Sequence, residues 1–240
     1  MVFAAGLGSR LGAISKTTPK CLVEVGGKAM LLWVLERLGK AGVTEVVVNV
    51  HYLREKVEEY LAKTTLPVKV TISPEATLLG TGGGLKFARQ FFRASEPFFV
   101  HNADIFSDLD LKMLMAAHRP ASLATLAVMR RETSRALLFG SASRLVGWEN
   151  GDGKCDRLTA GGEAAERLAF SGIQVVSPRI FDYLELDEGN FSIITTYMRC
   201  ARAGEAIEAF RIDDALWVDV GTPEKLERLR QAVDRDTKGT

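Results

Sequence analysis

The sequence predicts an α/β protein with a doubly wound, mainly parallel sheet and an inserted antiparallel portion. Two observations carry this prediction. In the first half of the 240-residue chain, short apolar runs alternate with longer segments of helical periodicity, which is the pattern of strand-helix-strand crossover units. After about residue 120, strand-like runs follow one another through turns, so we expect this later part to pair antiparallel.

The elements of the first half follow from local periodicity. We predict strands at Val2–Ala5, Glu45–Val50, Val68–Ile72 and Phe98–His101. We predict helices at about 29–41, 53–63 and 84–93. In the first of these, Met30, Val34, Leu35 and Leu38 recur at the spacing of one helix face.

The second half is read in the same way. We predict strands at Ser122–Val128, Ala136–Phe139, Arg144–Trp148, Leu168–Val176 and Leu216–Val220, and helices at 178–184, 191–203 and 223–234. The Asn-Gly, Asp-Gly and Gly-Gly pairs within Glu149–Gly162 predict an exposed hairpin or loop. Because the sequence has no repeat or linker, we expect a single domain, residues 1–240, with one half to about residue 120 and the other from about 121 to 235.

Composition excludes several classes of protein. Lys and Arg total 31 against 30 Asp and Glu, and 47% of residues are hydrophobic, so neither disorder nor nonspecific attraction to nucleic acid or anionic membranes is indicated. Cys21, Cys155 and Cys200 lie far apart without the spacing of a zinc site or a disulfide framework. We therefore expect a cytoplasmic protein with free thiols and without nucleic-acid or membrane partners, and an oligomer is possible.

A glycine-rich segment follows the first predicted strand. It reads GLGSRLG from Gly6 to Gly12, and Lys20 follows eight residues later. In an open parallel sheet, ligands bind beyond the carboxyl ends of the strands, where glycine lets backbone N–H groups approach a phosphate. The glycine spacing does not fit a dinucleotide-binding fingerprint, and no GKS or GKT of a P-loop is present. Taken alone, the segment fits either a phosphate-binding loop or a solvated turn.

Three ordered motifs reduce that ambiguity. The run GLGSRLGAISKTTPKCLVEVGGKAML, from Gly6 to Leu31, resembles the signature GxGxRLxxxTxxxPKxLxxVxGKPML of the sugar-phosphate nucleotidyltransferase family. TLLGTGGGL (Thr77 to Leu85) and WVDVGTPEKL (Trp217 to Leu226) are similar to that family's LGTAGAL and WxDVGTPxxL segments. The resemblance covers nearly the whole chain. It implies a Rossmann-like fold and an enzyme that joins a sugar 1-phosphate to an NTP, giving an NDP-sugar and pyrophosphate.

The resemblance also assigns roles to residues. It implies that Arg10 and Lys20 are catalytic and neutralise the triphosphate and the departing pyrophosphate, and that Asp104 and Asp219 bind Mg²⁺. Two carboxylates together with phosphate oxygens are the ligands that Mg²⁺ commonly takes. The implied nucleotide-binding residues are Ala5, Gly6, Gly8, Ser9, Gly80, Thr81, Gly82 and Asn102. We expect His101 to serve packing or to contact solvent, and Asp108, Asp110, Asp213 and Asp214 to be helix caps or solvated charges.

The sequence gives fewer signals for the residues that would contact the sugar. AFSGIQVVSPRIF, from Ala169 to Phe181, resembles the family's F-x-GIxVxxPxxF strand, in which small residues border the sugar, so Ser171 and Gly172 are candidates for sugar contact, and Glu149 is a third. The compact length resembles the branch that contains short N-acetylmuramate 1-phosphate uridylyltransferases and mannose 1-phosphate guanylyltransferases, which favours UTP or GTP as the nucleotide.

Two alternatives from other classes stay open. One is a glycosyltransferase of the GT-A type, which usually carries a tight DxD motif, whereas Asn102-Ala103-Asp104 has one carboxylate. The other is a sensor that binds a nucleotide sugar without turnover. The presence of Arg10, Lys20, Asp104 and Asp219 together favours the enzyme.

Overall fold

The computed structural model describes residues 1–158 and 165–238. These form two compact units that interleave along the chain. Unit 1 consists of Met1–Leu78, His101–Leu111 and Leu216–Thr240, and unit 2 consists of Leu79–Val100 and Lys112–Ala215. The expected single domain, with halves that meet near residue 120, stays a prediction.

The strands are β1 (Val2–Phe3), β2 (Glu24–Val25), β3 (Lys28–Ala29), β4 (Glu45–Val50), β5 (Lys69–Pro74), β6 (Phe98–Asn102), β7 (Ile105–Ser107), β8 (Ser122–Met129), β9 (Ala136–Phe139), β10 (Leu145–Glu149), β11 (Cys155–Arg157), β12 (Glu166–Val176), β13 (Ala206–Arg211) and β14 (Trp217–Asp219). The α-helices are α1 (Ala13–Thr17), α2 (Met30–Lys40), α3 (Arg54–Lys63), α4 (Gly80–Phe87), α5 (Leu111–Ala117), α6 (Ile180–Leu184), α7 (Ile193–Arg202) and α8 (Pro223–Lys238).

The parallel strands of unit 1 are β1, β4 and β5, and the last residues of β6, His101 and Asn102, pair with β1. Val2 pairs with Val48 on one side and with His101 on the other, both in parallel register. Strand β4 is buried from Val46 to Val50, as expected for a strand that is covered on both faces. The predicted α/β class with a mainly parallel sheet is confirmed.

A hydrophobic cluster in unit 1 joins three distant parts of the chain. Leu11 from the glycine-rich loop packs with residues of the β2–β3 hairpin and of the C-terminal segment; its buried members are Leu11, Val23, Val25, Met30, Val220, Leu226, Leu229 and Val233. Burial of a leucine side chain contributes about 1.5–3 kcal/mol. The loop is therefore anchored to the segment that follows β14.

Unit 2 contains the predicted antiparallel portion. Strands β10, β9, β12 and β8 pair antiparallel, and β11 extends this array beside β10. Strand β13, which the sequence analysis did not predict, lies parallel to β8. Buried residues line the whole of β8, which agrees with its position between two strands.

One predicted helix differs from the structure in its bounds, and several elements were not predicted. Helix α4 begins at Gly80 and ends at Phe87, rather than spanning 84–93, because the glycines are accommodated in the first helical turns by close packing. The helix α5 and the strand β7 were also missed. The hairpin predicted at Glu149–Gly162 is formed by β10 and β11, with positive φ at Gly151 and Gly153, while residues 159–162 lie outside the described part. Among the described residues, no helix has the length and apolar character needed to span a bilayer.

Candidate functional site

The glycine-rich loop of unit 1 follows β1 directly. Gly8 adopts a φ of +63° and Gly12 a φ of +60°, a left-handed region that strongly favours glycine. A side chain at Gly8 would also approach Cβ of Lys20 to 3.2 Å. These two glycines turn the chain through the short 3₁₀ segment Ser9–Leu11, and they leave Gly6, Ser9 and Arg10 exposed above the buried Ala5 and Leu11.

A buried amide fixes the start of this loop. Oδ1 of Asn49, at 2% exposure, accepts the backbone N–H of Ala4 at 2.9 Å. Nδ2 of the same side chain donates to Oε1 of the buried Glu75 at 2.6 Å, and the carbonyl of Glu75 lies 2.9 Å from Nδ1 of His51. Asn49 therefore couples β1 to β4 and to the residue after β5.

Lys20 and Asp104 form an ion pair within unit 1. Nζ of Lys20 contacts Oδ2 of Asp104, and both side chains are partly exposed. Because Gly8 lies against the stem of Lys20, this pair places one cation and one carboxylate beside the loop. Two of the predicted site residues are thus brought together.

Asp219 and Arg10 meet around Gly221. An ideal Cβ built on Gly221 would lie 2.6 Å from Oδ1 of Asp219 and 3.0 Å from Nη2 of Arg10. Asp219 accepts the backbone N–H of Gly221 at 3.1 Å with Oδ1, and its Oδ2 accepts from Nζ of Lys225. Gly221 is therefore needed for its small size, since a methyl group would displace the carboxylate and the guanidinium.

Asp104 lies in the turn before β7 and Asp219 ends β14, so the two residues, 115 apart in the sequence, lie at the same end of the β7–β14 ribbon. Ile105 pairs with Asp219 in the antiparallel β7–β14 ribbon, and the backbone N–H of Val220 donates to the carbonyl of Asp104 at 3.0 Å. Both carboxylates are partly exposed, at 25% and 16% for the side chains. In the described part of the chain, no group of three or more His, Cys, Asp or Glu is placed to hold a metal. Two carboxylates that share an edge and leave further positions to phosphate oxygens fit Mg²⁺.

The residues that lead into Asp104 have structural partners. His101 is buried, its Nδ1 lies 2.8 Å from the carbonyl of Asn102, and burial lowers its pKa to about 4. Asn102 pairs with Phe3 at the end of β6 and is partly exposed. Ala103, where the family commonly has glycine, is not among the residues of positive φ, so alanine fits this turn without strain.

Unit 2 carries the other predicted nucleotide-binding residues, Gly80, Thr81 and Gly82, at the beginning of α4. Gly80 has a φ of +72°. Oγ1 of Thr81 accepts the N–H of Ile193 at 2.9 Å, and the N–H of Gly82 donates to the carbonyl of Phe191 at 3.0 Å. This turn is therefore held by the segment that precedes α7.

The predicted sugar-binding residues lie on two strands of unit 2. Ser171 is 1% exposed, and its Oγ accepts the N–H of Ile173 at 3.3 Å. Gly172 has a φ of +81° at the point where the pairing of β12 with β8 shifts register between Phe170 and Gln174, as in a β-bulge. Glu149 ends β10 and accepts from Nε of Arg167 at 2.6 Å.

Sequence reasoning missed several residues that position the predicted site: Asn49, Glu75, Phe191, Gly221 and Lys225. For Asn49, the available signal is a polar residue within the apolar run Val46–Val50, because a buried amide must find partners. Gly221 and Lys225 fall within a motif that was noted, but only their neighbour Asp219 was assigned a role. Phe191 gives no local signal, since an aromatic residue before a helix is ordinary.

Comparison with known proteins shows what the chain is similar to. It is 31% identical over 228 residues to a mannose-1-phosphate guanyltransferase of Neurospora crassa, covering 93% of this chain and 60% of that protein. It is 32% identical over 232 residues to an N-acetylmuramate alpha-1-phosphate uridylyltransferase of Caulobacter vibrioides, covering 93% of this chain and 92% of that protein. The chain thus spans about 60% of the length of the guanyltransferases and nearly all of the uridylyltransferase.

Solved structures have the same fold. HddC from Yersinia pseudotuberculosis, in a complex with GMP-PN, matches with a TM-score of 0.76 at 23% identity, and 97% of each chain is covered. A UDP-glucose pyrophosphorylase matches with a TM-score of 0.78 at 18% identity, and 98% of each chain is covered. The model of the nucleotidyl transferase family matches residues 1–236. With these motifs in place on this fold, the chain belongs to the nucleotidyl transferase family.

Proposed function

We propose that the protein transfers a nucleotidyl group from an NTP to a sugar 1-phosphate and releases pyrophosphate. The observation that carries this proposal is the meeting, within unit 1, of the glycine-rich loop with two carboxylates and two cations. Lys20 contacts Asp104, Arg10 and Asp219 both approach Gly221, and Val220 hydrogen-bonds to Asp104. Transfer between two anions needs this combination of fixed positive charge and metal ligands.

In this reaction a phosphate oxygen of the sugar 1-phosphate attacks the α-phosphorus of the NTP. A new P–O bond forms there, the bond from the α-phosphorus to the bridging oxygen breaks, and pyrophosphate leaves with the electron pair. Arg10 and Lys20 stabilise the negative charge of the triphosphate and of the leaving group, an electrostatic role that needs no proton transfer. The N–H groups of the Gly6–Ser9 backbone hold the phosphates.

Asp104 and Asp219 are the residues that would hold Mg²⁺, which supplies neutralising charge to phosphate oxygens when bound. Their present cationic partners, Lys20 and Lys225, keep each carboxylate paired. Lys20 is then available to exchange its carboxylate for a phosphate oxygen, because both partners are acceptors of the same kind.

The substrates are inferred from the relatives. N-acetylmuramate alpha-1-phosphate uridylyltransferases of two bacteria, at 30–32% identity, match over 92–95% of their own length, and mannose-1-phosphate guanyltransferases match over about 60%. This favours UTP, with GTP second, and a hexose-type sugar 1-phosphate. Ser171, Gly172 and Glu149 are the residues proposed for the sugar side, and we infer a cytoplasmic enzyme.

The test is pyrophosphate release with four NTPs against a panel of sugar 1-phosphates in the presence of Mg²⁺. We expect release with one NTP and one sugar phosphate, and loss of release in Lys20→Gln. The matched control is Lys69→Gln, which removes the same charge from an exposed pair with Glu45 in the same unit. The control should retain wild-type rates.

Other outcomes point elsewhere. Transfer of a sugar from an NDP-sugar to an acceptor, with no pyrophosphate released by any pair, would support the glycosyltransferase alternative. Tight binding of an NDP-sugar without either reaction would support the sensor. Either result contradicts the proposal.

A further inference from the structure

Within unit 2, the turn that begins α4 is held by the chain segment Gly189–Ile193. The N–H of Phe191 donates to the carbonyl of Leu79 at 3.1 Å, and the carbonyl of Phe191 accepts from Gly82 at 3.0 Å. The N–H of Ile193 donates to Oγ1 of Thr81 at 2.9 Å. Three hydrogen bonds thus fix Leu79, Thr81 and Gly82, the residues on both sides of Gly80.

The glycines of the turn pack directly against this segment, with no space for a side chain. An ideal Cβ on Gly82 would lie 2.2 Å from Cε2 and 2.4 Å from Cδ2 of the Phe191 ring, and one on Gly80 would lie 2.5 Å from the Phe191 carbonyl oxygen. One on Gly83 would lie 2.6 Å from the carbonyl oxygen of Gly189. Real Cβ atoms do not reach such distances, so Gly80 and Gly82 accept only glycine while Phe191 stays in place, and Gly83 accepts only glycine while Gly189 does.

The residue pattern agrees with this packing. Where the related LGTAGAL segment has alanine, this chain has Gly82, and the Phe191 ring occupies the space of the missing methyl group. The pair therefore behaves as one packing unit, in which the size of one residue sets the size allowed to the other.

We propose that Phe191 is a positioning residue for the nucleotide: it fixes the backbone of Gly80–Gly82, the turn against which the resemblance to the LGTAGAL segment implies that the base of the NTP lies. This inference rests on the proposed function. The Thr81 oxygen accepts from Ile193 and retains its hydroxyl proton to donate, and the N–H of Gly82 is used by Phe191. The hydroxyl proton of Thr81 can therefore serve a ligand, and the Phe191–Ile193 segment sets its position.

The test is a size exchange between the two residues. We compare the wild type with Gly82→Ala, Phe191→Ala and the double variant, and we measure the KM of the NTP, the KM of the sugar 1-phosphate and kcat by pyrophosphate release, with thermal unfolding in parallel. Each single variant should raise the KM of the NTP about tenfold, which corresponds to about 1.4 kcal/mol of binding energy. The KM of the sugar 1-phosphate should stay within about twofold and kcat within about threefold in folded protein, since only the base-side positioning is lost.

The double variant gives the decisive comparison. In the Phe191→Ala background, the added methyl of Gly82→Ala fills vacated space, so it should leave the KM of the NTP unchanged or lower it, a coupling opposite in sign to its effect in the wild type. Phe91→Ala, a truncation of an exposed ring in the same unit, is the matched control and should change no constant.

Equal effects of Gly82→Ala in both backgrounds overturn the inference, as do parallel rises in both KM values, which indicate a structural role alone. If Gly82→Ala does not fold, Phe191→Leu, which keeps part of the apolar contact, must raise the KM of the NTP less than Phe191→Ala does; equal KM values reject the inference. If the wild type releases no pyrophosphate with any substrate pair, the proposed function fails. This result differs from a failure of the inference, because it is the same whichever residues occupy positions 82 and 191.

Discussion

Val220 donates its backbone N–H to the carbonyl oxygen of Asp104 at 3.0 Å, and this bond continues the β7–β14 pairing by one residue. It places Asp104 and Asp219 at the same end of a two-stranded ribbon, although the intervening chain includes most of unit 2. The relative position of the Asp104 and Asp219 backbones is therefore set by strand pairing.

Asp104→Asn and Asp219→Asn should each lower the rate of pyrophosphate release about 10²-fold or more, because each removes a charge that stabilises the transferring phosphates through the metal. Binding of Mn²⁺ to the free protein, followed by electron paramagnetic resonance, should weaken in both variants. Asp214→Asn changes an exposed carboxylate and should alter neither measurement. Wild-type Mn²⁺ binding in either site variant would contradict the assignment.

Gly6→Ala and Gly8→Ala separate ligand binding from folding. A Cβ on Gly6 meets nothing within 4 Å, so Gly6→Ala should have the stability of the wild type. A rise in the KM of the NTP in this variant would then result from contact between the added methyl group and the bound NTP. Gly8 has positive φ, so Gly8→Ala should lower the free energy of unfolding by about 1–2 kcal/mol. Denaturation in urea measures the second effect, and equal stability of the two variants would contradict the role given to the Gly8 turn.

Asn49→Ala should destabilise the protein by about 1–3 kcal/mol, because the N–H of Ala4 loses a buried acceptor and Glu75 loses a donor. Since Ala4 begins the glycine-rich loop, the KM of the NTP should rise as well. Asn150→Ala, in the exposed β10–β11 hairpin, is the control for both measurements. An unchanged KM would show that the loop holds its conformation without Asn49.

Stability should fall as the pH is lowered from about 6.5 towards 4, in part because of His101. Burial lowers the pKa of this imidazole from 6.5 to about 4, so between these values the unfolded chain binds a proton that the folded protein does not. Below about pH 4 both states are protonated, and the contribution levels off. Urea unfolding at several pH values should show a smaller slope for His101→Gln; an identical slope would contradict this source of the pH dependence.

Of the three thiols, only Cys155 should react quickly with a thiol reagent in the folded protein. Cys155 is exposed, whereas Cys21 and Cys200 are buried, and burial raises the pKa of each of these two to about 12. One thiol per chain should be labelled at pH 8, and Cys155→Ser should abolish the fast phase. Rapid labelling of a second thiol would show that the packing around it opens readily.

Periodicity and motif order were enough to predict the fold class and most of the elements, with Glu45–Val50 and Ala136–Phe139 predicted at their observed bounds. Local pattern could not predict the early start of α4, because glycines argue against a helix and only the packing of Phe191 compensates for them. Strand β13 was missed for a similar reason. Its alternation of apolar and polar residues is weak, and its pairing with β8 depends on tertiary contacts.

For the candidate site, too, the sequence indicated some residues and left others to be found in the structure. The resemblance to the family implied roles for Arg10, Lys20, Asp104 and Asp219 individually. The structure brings Lys20 to Asp104 and Arg10 to the neighbourhood of Asp219. The contact of Lys225 with Asp219 and the buried support from Asn49 depend on side-chain packing, which the sequence pattern does not show. The roles of these residues in binding and turnover stay predictions for the experiments above.

The interleaving of unit 1 has a consequence for how the protein is made. The glycine-rich loop and Lys20 leave the ribosome early, whereas β14, Asp219 and the apolar residues that pack on Leu11 belong to Leu216–Thr240. Because folding during synthesis proceeds from the N-terminus, unit 2 has its whole sequence available before unit 1 does. A nascent chain stalled before residue 216 should therefore have the glycine-rich loop without Asp219, and we expect nucleotide-dependent protection from proteolysis only in chains that include Leu216–Thr240.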